Sequence, residues 1–393
     1  MRFSEIAGET GIFVDGDWIE KKDQDAKGAV RLIQLADVGP GEFRDKSDRH
    51  ITVEKADELH CTFLRKGDIL IARLGDPLCK ACVFPLDGLY ITAVDVAILR
   101  IGSDVVNPKY LIYLLNSPWF KDQVKQYESG TTRKRISRKN LDRIEMIFPL
   151  LPEQERIVAR IEELFSQLDA GVETLKKTKA QLAVYRQAVL KEAFAVCKEY
   201  VAIESVTQHV TDGDHMPPPK ADNGIPFIMI SNIKGNAISW GNTAFVGRDY
   251  YDSIEPKRKP QNGDVLYTVT GSYGIPVLVD FNKEFCFQRH IALLRPNDAI
   301  EQKYLYYSLM EPSVYAQATK GATGTAQKTV GLGILRKIEI PFIESHSDQL
   351  RIVEAIESRL SVCDSIEHTV DTALQQAEAM RQSILKDAFE GRL

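Results

Sequence analysis

The chain repeats itself, and that limits its fold more than any other feature. Residues 156–194 align with residues 351–389 at a constant shift of 195 without a gap, and 15 of the 39 positions are identical. About two or three identities would arise by chance at average residue usage. Arg156-Ile157-Val158 meets Arg351-Ile352-Val353, Arg186-Gln187 meets Arg381-Gln382, and Ala193-Phe194 meets Ala388-Phe389. Weaker matches extend upstream: Gly130-Thr131 with Gly324-Thr325, Lys109-Tyr110-Leu111 with Lys303-Tyr304-Leu305, Gly67-Asp68 with Gly263-Asp264, and Asp15-Gly16-Asp17 with Asp212-Gly213-Asp214. The shift drifts between 197 and 194 there, as loop insertions would make it. The chain is one unit written twice: a variable globular block of about 145 residues, then a better-kept stretch of about 40.

The better-kept stretches read as long helices. Pro152-Glu153-Gln154-Glu155 opens the first, with proline in the first turn and acids at the positive dipole end. Ile161, Leu168, Leu175, Leu182 and Val189 recur every seven residues, and Ile356, Cys363, Val370, Ala377 and Ile384 occupy the equivalent places. Sustained heptads indicate a coiled-coil seam. A second column, Ile157, Leu164 and Tyr185, flanks the first. Forty helical residues span ~60 Å, more than one block of this size covers. The two helices therefore satisfy each other, and we expect an antiparallel pair.

The blocks read as mixed and strand-rich, so the fold class is α+β. Arg31–Leu35 and Pro226–Ile230 are equivalent strands. Gly67-Asp68 and Gly263-Asp264 are turns opening apolar runs. Lys109–Leu115 and Lys303–Leu309 are short helices. Asp212-Gly213 and Pro217-Pro218-Pro219 mark a loop where the second block starts.

Composition removes several function classes. The 393 residues are 44% hydrophobic, which argues against wholesale disorder. No window approaches ~18 uncharged apolar residues, so no membrane span is expected. Glu5 stands where a signal peptide would turn apolar. Six cysteines in so long a chain fit a reducing, cytoplasmic setting. The net charge of −5 excludes only a uniformly basic nucleic-acid binder, because basic patches can sit on an acidic body.

Catalytic motifs are wanting. Asn107-Pro108-Lys109-Tyr110 superficially resembles the clamp of a base-amino methyltransferase but lacks the second proline, and reads as a helix N-terminus. Gly321 to Thr329 has no Gly-Lys pair and makes no phosphate-cradling loop. Cys79-x2-Cys82, with His60 and Cys61 nearby, has a non-standard zinc spacing. It reads as a reduced structural pair, so no metal is expected. Seven scattered histidines form no catalytic constellation.

Binding remains. Arg133, Lys134, Arg135, Arg138, Lys139 and Arg143 crowd into eleven residues after the hydroxyl-rich Gly130-Thr131-Thr132. Such a patch can neutralise phosphates and offer Arg forks to guanine edges. In the second copy Lys320, Gln327 and Lys328 occupy the same place. Lys257-Arg258-Lys259 precede the Gly263 turn, Ser272-Tyr273 follow Gly271, and Gln288-Arg289 adjoin His290. In the first copy Arg73 and Lys80 flank Gly75. We expect these basic and amide side chains to form a DNA-facing surface built twice.

With these features the sequence resembles the specificity subunit of a type I restriction-modification system. The resemblance covers nearly the whole chain. Its most specific parts are Leu151-Pro152-Glu153-Gln154-Glu155-Arg156-Ile157-Val158, Leu190-Lys191-Glu192-Ala193-Phe194, Gly263-Asp264-Val265-Leu266 with Gly271-Ser272-Tyr273-Gly274, and the run from Ile384 to Leu393. It implies two target-recognition domains, 1–148 and 198–342, alternating with helical segments, 149–197 and 343–393. Each domain would read one half of a split, asymmetric site in double-stranded DNA. The helices would set the spacer and dock two modification subunits. Those partners would carry S-adenosylmethionine and methylate adenine N6. A restriction subunit, a motor-nuclease using ATP and Mg, would join through the complex. This chain itself would hold no cofactor and carry no catalysis. The readings set against this are a stand-alone DNA-modifying enzyme, disfavoured by the missing motifs, and a protein-binding coiled-coil adaptor, disfavoured by the basic loops.

Overall fold

The computed structural model describes residues 1–214, 218–325 and 327–393. Pro217, part of the proline run expected to mark a loop, lies outside the described residues. The chain divides into two compact units, Met1–Leu175 with Thr372–Leu393, and Lys176–Asp371.

In the first unit a four-stranded antiparallel sheet runs in the order Ile12–Val14, Val96–Arg100, Ile69–Ala72, Ala81–Val83. The strand Ile69–Ala72 is buried along its whole length, so its side chains are apolar on both faces. A second sheet pairs Val30–Ile33 antiparallel with His50–Ile51 and parallel with Tyr90–Thr92. The second unit repeats both patterns. Its antiparallel sheet runs Thr207–Asp212, Ile291–Pro296, Val265–Thr268, Pro276–Leu278. Its other sheet pairs Ile225–Ile228 parallel with Cys286–Phe287.

The turn ahead of the central strand explains one sequence match. Gly67 and Gly263 have φ of +94° and +96°, a conformation open to glycine. The aspartate that follows is buried and bidentate to an arginine on the neighbouring strand. Asp68 accepts from Arg100 Nε and Nη2 at 2.8 and 2.7 Å, and Asp264 from Arg295 Nε and Nη2 at 2.8 Å each. The Asp-Gly-Asp match has a different cause. A Cβ on Gly16 would lie 2.2 Å from the Ala93 carbonyl oxygen, and one on Gly213 1.9 Å from that of Phe287. Both glycines let the backbone run against the end of the parallel strand.

Asn107 caps the short helix Pro108–Asn116 by accepting from the Lys109 and Tyr110 amides, the helix N-terminus expected from Asn-Pro. The long helices run Leu151–Phe194 and His346–Phe389. Each is tied to the block before it by a fully buried glutamine. Gln154 Nε2 donates to Val105 O and Pro149 O at 2.8 Å each while its Oε1 accepts from the Asn107 amide at 2.9 Å. Gln349 repeats this with Ala299 O, Ile343 O and the Glu301 amide at 3.0, 2.7 and 2.7 Å. Gln154→Ala is expected to lower stability by about 2 kcal/mol, because buried peptide groups lose their partners. Thermal unfolding checks this, and an unchanged Tm would mean that water replaces the amide.

The helices pair antiparallel within each unit. In the first, Arg156 donates to the Leu393 carbonyl at 3.0 Å and Arg381 pairs with Asp169. In the second, Lys179 meets Asp371, Arg186 meets Asp364, and Arg359 meets Glu192, at 2.6, 2.6 and 2.9 Å. Arg186 and Arg381 are repeat-equivalent, as are Asp364 and Asp169, so one ion pair is made twice in one register. Ile161, Leu182, Val189, Ile356, Cys363, Val370 and Ala377 are buried in the seam, and Leu168, Leu175 and Ile384 are half-buried. The flanking column is shorter than its spacing implied: Ile157 is buried, but Tyr185 is 45% exposed. The fold is thus two α+β blocks, each followed by a long helix, with the helices pairing as an antiparallel coiled coil.

Candidate nucleic-acid interface

The same frame of loops stands at one end of each antiparallel sheet. In the first unit Ser129 and Arg135 exchange two backbone hydrogen bonds of 2.8 Å, closing a tight hairpin over the basic run. Gly130, at φ +90°, makes the turn, and a Cβ there would sit 2.3 Å from the Arg133 carbonyl oxygen. The hairpin is stitched to the central strand's exit: Gly75 N donates to Lys134 O and Ile136 N to Arg73 O, each at 3.0 Å, and Arg73 N to Asp95 O at 2.8 Å. In the second unit Thr323 and Thr329 close the hairpin at 2.9 and 2.7 Å. Gly271 N donates to Lys328 O, Val330 N to Val269 O, and Val269 N to His290 O, at 2.9, 2.8 and 2.9 Å. The backbone is repeated here, and while Thr131 and Lys134 recur as Thr325 and Lys328, Arg133, Arg135 and Arg138 give way to Gln327, Thr329 and Leu332.

The first unit's loops carry the denser charge. Arg133 and Lys139 are exposed and have no ion-pair partner among the described residues. Lys134 leans on Glu128 at 2.8 Å, Arg135 on Asp95 at 3.0 Å and Arg138 on Asp15 at 3.4 Å. Lys80 is half-exposed in the neighbouring loop. Exposed pairs of this kind are weak and exchange readily with a stronger anion. Arg73 requires a correction. Expected among the DNA-facing cations, it is 3% exposed and cannot reach a ligand directly. Its guanidinium lies beneath the loops, ion-paired with Asp15 at 3.0 Å and donating to the Ile136 and Val94 carbonyls. The repeat puts valine, Val269, in its place.

In the second unit Lys320, Gln327 and Lys328 are exposed on the hairpin side. Lys257 pairs with Glu255 at 2.9 Å, and Arg258 lies 3.6 and 3.8 Å from Asp212 and Asp214. Lys259 is drawn over the Tyr251 ring, 4.7 Å from its centroid. Ser272 is exposed, while Tyr273 is half-buried, stacked on Tyr315 at 5.7 Å with its hydroxyl on Thr319. Gln288 and Arg289 line a cleft of about 350 Å³ with Lys220, Phe227, Met229 and Phe245. Tyr250 donates to the Asp214 carboxylate at its edge, and burial and that bond hold the phenol well above its usual range. The second unit's basic residues thus make contacts unlike those in the first.

Sequence reasoning missed Lys121. Its ammonium caps the Leu78 and Cys79 carbonyls at 2.8 and 2.6 Å, and burial pushes its pKa down to about 8. Both of its acceptors are backbone carbonyls, so no residue pattern in the sequence signals that role. The Cys79 and Cys82 thiols are pushed up to about 11 and about 12 by burial, which keeps them protonated near neutral pH. Among the described residues no helix is long and apolar enough to cross a membrane.

Comparison with known proteins matches these features to one family. The signature described as the type I restriction modification DNA specificity domain covers residues 11–183 and again 212–376. The chain is 23% identical over 324 residues to the type I restriction enzyme EcoBI specificity subunit of Escherichia coli, covering 75% of this chain and 68% of that one. It is 23% identical over 314 residues to the EcoKI specificity subunit of Escherichia coli strain K12, covering 72% and 65%. The chain therefore aligns with about two thirds of the length of these curated relatives. A solved structure presented as "Structural basis underlying complex assembly and conformational transition of the type I R-M system" contains a chain of the same fold, with TM-score 0.70, 19% identity and coverage of 100% and 97%. Two copies of one signature, on two copies of one loop frame, place this chain in the type I restriction-modification DNA specificity family.

Proposed function

We propose that the chain is the DNA-binding specificity subunit of a type I restriction-modification complex, and is itself non-catalytic. Residues 1–148 and 198–342 act as two target-recognition domains, each contacting one half of a bipartite, asymmetric site. The observation that carries this reading is the duplicated loop frame with unlike side chains on it. One scaffold used twice with different contact residues recognises two different half-sites in fixed order. Base contacts then specify and phosphate contacts position. The paired helices set the spacer between half-sites and dock two modification subunits. Two equivalent helix surfaces on one chain suit two copies of one partner. S-adenosylmethionine sits on those partners, whose pockets take the extruded adenine. A restriction subunit using ATP and Mg joins through the complex, in the cytoplasm.

The test is binding by the chain assembled with its modification subunits. Arg133→Ala with Arg135→Ala is expected to weaken binding and to lower the slope of log K against log salt by about two, one for each lost phosphate contact. An unchanged slope removes the hairpin from the interface. Absence of any salt-sensitive DNA binding would favour a protein-binding adaptor, and methylation by the purified chain alone would make it an enzyme.

A further inference from the structure

Two cations, Arg73 buried and Lys121 half-buried, lie beneath the first unit's loops, and the repeat has Val269 and Tyr315 in their places. Lys121 projects from the helix Pro118–Lys125 under the loop that follows Ile69–Ala72. Its ammonium donates to the Leu78 and Cys79 carbonyls at 2.8 and 2.6 Å, and it has no carboxylate partner among the described residues. Arg73 sits at the other root of the same loop. Its Nη1 donates to Ile136 O at 3.2 Å, at the hairpin's base, and its Nη2 donates to Val94 O. Asp15 takes its charge from the end of the strand Ile12–Val14. Four segments, around residues 15, 73–80, 94 and 136, therefore converge on two side chains.

This placement carries a desolvation cost. Moving an ammonium out of water without a carboxylate is unfavourable, and the depressed pKa of Lys121 records that cost. Arg73 also leaves its Nε buried without a partner. The second unit builds the same backbone frame with Val269 at the first position, so the frame does not require the cation. The exposed tip Asp76-Pro77 and the Lys80 side chain lie between the two anchors.

We propose that Arg73 and Lys121 are positioning residues for DNA recognition by the first unit: by capturing loop carbonyls from below, they fix the 74–80 loop against the 129–136 hairpin and so set discrimination at one half-site only. The proposal rests on the DNA-reading function argued above. Neither residue touches DNA. Each acts through the loop it holds.

Arg73→Val, which installs the second unit's residue, and Lys121→Met are tested in the full chain assembled with its modification subunits. Binding is measured against duplexes altered in one half-site or the other. Each variant is expected to lose discrimination about tenfold at one half-site, with the other half-site and the salt slope little changed. Lys121→Arg, which keeps the cation and its donors, is expected to restore discrimination. Wild-type discrimination in both variants overturns the proposal. So does loss at both half-sites, or failure of Lys121→Arg to rescue, since those mark a purely structural role. A variant too unstable to assemble overturns it also, because the cations would then be fold-determining. If the wild-type complex shows no sequence dependence at all, the DNA-reading function itself has failed, a different outcome from either.

Discussion

Asp264→Ala is expected to destabilise the second unit by about 3 kcal/mol, and Asp68→Ala the first unit by a similar amount. Each aspartate is almost fully buried, 2% and 1% exposed at the side chain, while its arginine is 14% and 18% exposed. Removing the acid strands a guanidinium that water reaches only at its edge, which places the loss at the lower end of the range for a broken buried pair. The turn fails with it: Asp264 also accepts the Gln261 amide, and Asp68 the Arg65 amide, each at 2.8 Å. Arginine loses further ties, since Arg295 reaches the Lys259 carbonyl and Arg100 that of Phe63. The double replacement Asp68→Leu with Arg100→Met removes both charges and is expected to recover most of the loss. Chemical denaturation of single and double variants checks this. A double variant no more stable than Asp68→Ala would show that the turn bonds, not the ion pair, hold the strand.

That pair shows what the repeat made legible. Gly67-Asp68 and Gly263-Asp264 were visible as matched turns at a shift of 196, and Arg100 and Arg295 stand at a shift of 195. Gln154 and Gln349 likewise align, yet nothing local distinguishes a latch from a solvated glutamine. Matching reveals that a residue is kept between copies, while its partner comes only from the fold. The heptads fared better, because a seam's geometry follows from its period. Antiparallel pairing then explains why Arg186 and Arg381 are both kept. The recognition loops were legible as positions and not as roles. Arg73 and Arg133 look alike in sequence, and only the convergence of Asp15, Val94 and Ile136 separates the buried cation from the exposed one. Lys121 gave no signal, because its ligands are backbone carbonyls, which carry no residue identity.

Removing one heptad from each helix, Val172–Thr178 and Glu367–Ala373, is expected to shorten the recognised spacer by about three base pairs while leaving both half-sites unchanged. Seven residues are close to two helical turns, so the apolar column returns to within about 20° of its former face. The deletion removes about 10 Å of helix, and base pairs stack about 3.4 Å apart. The two cuts are repeat-equivalent, so the surviving pairs Asp169–Arg381 and Arg186–Asp364 keep their common register. A cut in one helix alone would break that register, setting Ile161, Leu168, Leu182 and Val189 against the wrong turns of the partner, and is expected to abolish specific binding. The measurement is selection of bound sites from duplexes with spacers of graded length. A new optimum near three fewer base pairs supports the helices as the spacer gauge. An unchanged optimum assigns that role to the loops, and a changed half-site preference would mean that the helices also orient each recognition domain on its bases. The stability cost separates these outcomes from simple unfolding: the cut removes Leu175 and Val370 from the seam and the Lys179–Asp371 pair with it, yet eight of the ten heptad residues remain to close the helices on each other.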